Sequence, residues 1–139
     1  MLEKVRYTWE LTCEFNVFHD IVSHCKIESV ICQNLTPRYG YETPQEIIDA
    51  DLAEQYDVCF DLSLKLYGLL VSNDYEQEAQ YAILCGHKIR WQFSHTALEI
   101  RAIKDAINRH TNTDSQKLLA NEIQDKIAER HSLLSSFIQ

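Results

Sequence analysis

Two runs with an apolar residue at every second position, set far apart in the chain, constrain this fold more than any other feature. In "VRYTWELTCEF", Val5, Tyr7, Trp9 and Leu11 point one way and Arg6, Thr8, Glu10 and Thr12 the other. In "HKIRWQFSHT", Ile89, Trp91 and Phe93 stand against Lys88, Arg90 and Gln92. A period of two sends successive side chains to opposite faces, so each run predicts a strand with one buried face. Between them, "KIESVICQNL" predicts a further extended segment from Lys26 to Leu35, with imperfect alternation.

The other apolar residues follow helical spacing. Val17, Phe18, Ile21 and Val22 predict a helix behind Asn16 as N-cap. "TPRYGYETP" reads as a loop. Thr43 as N-cap and Pro44 as first helical residue open a helix whose apolar positions continue from Ile47 to Leu70. Gly68 is its one internal exception, at about 1 kcal/mol. Further helices are expected over 75–85, 97–109, 114–130 and 132–138. With only three glycines and two prolines, the elements should be long. The sum is one α+β domain over 1–139, with a small, mainly antiparallel sheet and long helices.

Charge excludes one class of partner. The net charge of -8, with no cluster of Lys and Arg, disfavours nucleic acid, whose affinity rests on contacts to phosphates. No apolar run reaches the roughly 20 residues of a membrane span, and "MLEKVRYTWE" lacks an apolar signal core. Five cysteines without paired spacing suggest reduced thiols, and so a cytoplasmic protein. His24, Cys25 and Cys32 raise the question of zinc, but neither C-x-x-C nor H-x3-H occurs among them, so no metal is expected.

Three stretches together resemble the flavin-dependent thymidylate synthases, the ThyX family. "EKVRYTWELTCEFNVFHDIVSHC" is similar to the family's Glu-His-x-x-Phe-Thr-Phe strand and the helix that ends in Arg-His-Arg. "ICQNLTPRYGYETP" resembles the continuation of that motif, with its Arg-Tyr pair at Arg38 and Tyr39. "EAQYAILCGHKIRWQFSHTALEIRAIKDAI" resembles the closing strand and helix. The resemblance spans about the C-terminal two-thirds of a family member, which fits one part of a longer or split protein. It implies FAD as cofactor, conversion of dUMP to dTMP with methylenetetrahydrofolate and NADPH, and a homotetramer with sites between subunits. It places Gln33, Arg38 and Tyr39 at the substrate and His24 and Thr96 at the cofactor, with no catalytic nucleophile on the protein.

Set against that motif, most of the arginines are replaced. Arg-His-Arg stands here as Ser23, His24 and Cys25, and the histidine of the Glu-His pair as Lys4. The family's Ala-Arg is Ala79 and Gln80; its Asn-Ala-Arg is Thr96, Ala97 and Leu98. Ile107 stands where an arginine is expected on the uracil ring. A charge-assisted hydrogen bond is worth roughly 1.5–3 kcal/mol, so four or five lost contacts remove roughly 6–15 kcal/mol. Even half of that sum, which overshoots because the terms are not additive, rivals a micromolar affinity.

The expectation is a ThyX-like subunit that is catalytically impaired and serves assembly, with itself or with an active ThyX-like partner. Leu98, Ile103 and Ile107 would then form an apolar stripe that is either a partner surface or plain core. The alternative is an active FAD-dependent thymidylate synthase or dUMP-binding flavoprotein. A third reading is a partner-binding module using the broad apolar face of the 44–72 helix.

Overall fold

A computed structural model describes residues 4–109 and 113–135, and the side chains of 4–109 and 113–133. It is an α+β fold: three antiparallel strands, in the order β1-β3-β2, lie over a layer of helices. Strand β1 spans Arg6–Glu14, β2 Ser29–Cys32 and β3 Lys88–Thr96. The register pairs Tyr7 with His95, Trp9 with Phe93 and Leu11 with Trp91, so both alternating runs turn the same face inward. That face meets helix α1 (Phe15–His24), helix α5 (Ile100–Asn108) and helix α6 (Asp114–Arg130). Val17 and Ile21 from α1, Ile103 and Ile107 from α5, and Ile123 and Ile127 from α6 close one core around Trp91 and Phe93.

The stripe expected on 97–109 resolves into core. Ile100, Ile103 and Ile107 are buried, whereas Leu98 is 51% exposed in a 3-10 turn, Ala97–Glu99, that precedes α5. Leu98 therefore does not share the face of Ile107, and the partner-surface reading of that stripe is overturned.

The long helix expected from Thr43 is broken in two. Helix α2 covers Gln45–Asp49 behind Pro44, and α3 covers Ala53–Ser72. Asp51, at φ 58, makes the break between them, a left-handed turn that an aspartate tolerates better than most residues. Helix α1 begins one residue before Asn16, whose Oδ1 accepts from the Val17 N–H at 2.8 Å inside the first turn. The helix expected over 75–85 shrinks to α4 (Glu76–Ala79) and a 3-10 turn, Gln80–Ala82. The extended segment 26–35 keeps only β2 as strand. Of the terminal helix, α7 (Ser132–Ser135) is observed, and 136–138 lie outside the described residues.

Helix α3 touches the body along one line. Phe60 stacks on Tyr41 at 3.7 Å and meets His87 at 4.7 Å, while Ser63 donates to the Ala82 carbonyl at 2.5 Å. Gly86 permits this seat, since a Cβ there would stand 2.8 Å from Tyr56 Oη and 2.9 Å from Phe60 Cζ. On the other side of α3, Val58, Leu62, Leu66 and Leu69 remain exposed. Among the described residues no helix is long and apolar enough to cross a membrane.

Candidate functional site

The open face of the sheet carries the groups that the sequence points to. Alternation sends Glu10, Arg90 and Gln92 outward, and the register brings Ile31 of β2 opposite Gln92. Arg90 binds the Glu10 carboxylate through both Nε and Nη2. Just beyond β2, Gln33 accepts a hydrogen bond from Tyr39 Oη at 2.9 Å, and Tyr39 lies near Arg90. Glu10, Ile31, Gln33, Arg90 and Gln92, with Trp91, line a depression of about 110 Å³. Ligand pockets usually run from about 300 Å³ upward, so this depression is smaller than an ordinary ligand site.

Arg38 sits beside this cluster but not in it. It is the middle residue of a 3-10 turn, Pro37–Tyr39, whose start is capped by Thr36 Oγ1 accepting from the Arg38 N–H at 3.3 Å. Its side chain is exposed and makes no ion pair among the described residues. With Arg90 occupied by Glu10, Arg38 is the cation on this loop that an anion could meet.

The two expected cofactor residues lie elsewhere. His24 ends α1 and faces its own helix, with Nδ1 2.9 Å from Asp20 Oδ1. Asp20 also receives Arg109 Nη2 at 2.8 Å. That is the geometry of a capped helix end. Thr96 ends β3, where its carbonyl accepts from His95 Nδ1 at 2.7 Å. Among the described residues, no hydrogen bond or ion pair joins either one to Gln33, Arg38 or Tyr39. Of the five expected positions, then, the structure brings together only Gln33 and Tyr39, with Arg38 adjacent.

The two buried cysteines offer no nucleophile. Burial pushes the Cys25 thiol up to about 11 and the Cys13 thiol up to about 12, so both stay protonated at neutral pH. All five are free.

Two buried histidines were not singled out by the sequence reading. His95 and His87 continue the inward phase of Ile89, Trp91 and Phe93, which is the signal that could have marked them. Trp9 Nε1 donates to His95 Nε2 at 2.7 Å, so the His95 proton rests on Nδ1 and the ring is neutral. The Leu84 N–H donates to His87 Nδ1 at 3.0 Å. Loss of hydration lowers both pKa values below the ordinary 6.5. The unfolded chain then binds more protons than the folded one below that value, so stability is complete above it and declines as pH falls through it. Urea midpoints measured from about pH 7.5 down to about pH 5 should decrease, and His95→Gln should flatten the slope. Equal midpoints across that range would contradict this assignment.

At the far end of β1, buried Glu14 accepts from Thr113 Oγ1 at 3.1 Å and Ser115 Oγ at 3.2 Å. The Ser115 N–H donates to Glu42, which also receives Lys88 Nζ at 2.5 Å. This network fastens the start of α6 to the sheet. Among the described residues, no group of His, Cys, Asp and Glu could hold a metal ion.

No family model matches the chain. Two curated proteins do, over nearly all of it. One is a UPF0159 protein of Chlamydia muridarum (strain MoPn / Nigg), 22% identical over 138 residues, which are 99% of this chain and 26% of that protein. The other is a UPF0159 protein of Chlamydia pneumoniae, 20% identical over 138 residues with the same coverage. The chain thus spans about a quarter of the length of the curated relatives it matches.

Proposed function

We propose that this chain is a ThyX-like subunit that has given up the family's nucleotide chemistry and serves as an assembling or partner-binding part. The observation that carries the reading is Ile107. Where the resemblance expects an arginine on the uracil ring, the side chain is wholly enclosed between the sheet and the helices. A guanidinium there would give up its water for apolar surroundings, which marks the position as core and not as a ligand contact. Cys25, in place of another arginine, is likewise buried and uncharged.

Helix α3 supports the assembly half of the reading. Val58, Leu62, Leu66 and Leu69 recur at helical spacing on the side away from Phe60 and Ser63, and Leu62 and Leu69 are 58% and 62% exposed. Covering such a stripe contributes about 25 cal/mol for each Å² of apolar surface removed from water. Leu62→Asp/Leu66→Asp should shift the chain to a smaller species in light scattering with its helix content unchanged. An unchanged mass would sink the α3 surface.

A second reading is favoured by Arg38 and its neighbours: an FAD-dependent protein that binds dUMP and forms dTMP. Arg38, which makes no ion pair among the described residues, stands beside Gln33 and Tyr39 and would meet the phosphate, and a neighbouring subunit would supply the remaining charge. Retained flavin separates the two.

A further inference from the structure

One edge of β1 pairs with no strand among the described residues. Its hydrogen-bond phase follows from the Ala97 N–H, which donates to the Val5 carbonyl at 2.8 Å. In an antiparallel ladder the residues that bond the partner alternate with those that face away. Tyr7, Trp9 and Leu11 therefore bond β3, and the backbone groups of Arg6, Thr8 and Glu10 face outward. β3 lies on the other side of β1, with β2 beyond it, so no strand pairs with this edge among the described residues. A cleft of about 530 Å³ runs along Arg6–Glu10, bounded on its far side by Lys126, Glu129 and Arg130 of α6. Beside it the buried Tyr7 hydroxyl has no partner among the described residues.

We propose that this edge pairs with the same edge of a second copy, antiparallel about a two-fold axis at Thr8. That register places Arg6 opposite the copy's Glu10, and Glu10 opposite its Arg6, on the open face of the sheet. Tyr7 falls opposite Trp9 on the inner face. A two-fold contact requires a self-complementary patch, and a strand with opposite charges equidistant from its centre meets that requirement. Arg6 and Glu10 already touch Glu28 and Arg90, but a guanidinium has five donors and a carboxylate about four acceptor sites, so each can take a second partner. The product is one continuous sheet across both copies. Among the described residues this strand carries no proline and pairs on one side only, the kind of edge that serves as a template for such pairing.

The inference rests on the reading of the chain as an assembling subunit, but uses a surface separate from α3, so the two can fail separately. The test is amide hydrogen exchange by NMR on the full chain, alongside light scattering. The Arg6, Thr8 and Glu10 amides should be protected like those of Tyr7 and Trp9. Thr8→Pro removes an N–H that the single chain does not use, and should speed exchange at Arg6 and Glu10 at least roughly tenfold. Arg6→Glu and Glu10→Arg should each weaken association, and the double exchange should restore it. Free exchange at Arg6, Thr8 and Glu10 in the unaltered protein would overturn the proposal, even if α3 still holds an oligomer together. Single charge reversals that leave the mass unchanged would also overturn it.

Discussion

Placing arginine at Ile107 should destabilise the fold by roughly 3–5 kcal/mol, the range for a buried charge without compensation, and should not confer dUMP binding. The side chain is fully enclosed in the core that Trp91 and Phe93 share with α1, α5 and α6. The buried neighbours in that core are apolar, so the new guanidinium would lose its hydration. Against a total stability that is typically about 5–15 kcal/mol, most of the margin would disappear. Ile107→Val should cost only about 0.5–1.5 kcal/mol, because it removes one methylene without adding charge. Denaturant unfolding distinguishes the two variants. A stable Ile107→Arg protein whose melting temperature rises with dUMP would mean that the position still opens onto a ligand site.

Trp91→Ala should be about as damaging, at roughly 3–5 kcal/mol. The ring is 1% exposed and stacks on Phe93 with centroids 4.5 Å apart. It meets Phe18 edge-on at 4.8 Å, and its Nε1 donates to Cys13 Sγ at 3.3 Å. Those three contacts join β3, α1 and β1, so the cavity would open where the layers meet. Trp91→Phe keeps the stack and forfeits a weak sulfur hydrogen bond, and should cost far less. A loss below about 1 kcal/mol for the alanine variant would show that the sheet and helix layers do not depend on this contact.

The strands were legible because their signal is local. The alternation in Tyr7–Trp9–Leu11 and Ile89–Trp91–Phe93 needs no partner to be read, and the antiparallel register then places the two runs face to face. Helix boundaries were less legible, because apolar spacing from Ile47 to Leu70 continues through a break made by one backbone angle at Asp51. A helical stripe also does not say what covers it. Ile103 and Ile107 read equally as core or surface until β1 and β3 are placed above them, whereas Leu62 and Leu66 look similar in sequence and lie in water. At the candidate site, Gln33 and Tyr39 are close in the chain and were found together. Arg90, a candidate in the sequence as well, stands on a strand far along the chain, and the fold is what sets it near Tyr39.

The most direct test of the central claim is size-exclusion chromatography of the protein mixed with FAD, recording light scattering and absorbance near about 450 nm, where a bound flavin absorbs. An oligomer that elutes colourless, with all the FAD recovered at small size, is the predicted result. Flavin co-eluting with the protein, and lost when Arg38 is replaced by alanine, would contradict it and establish a binding site that the chain has kept.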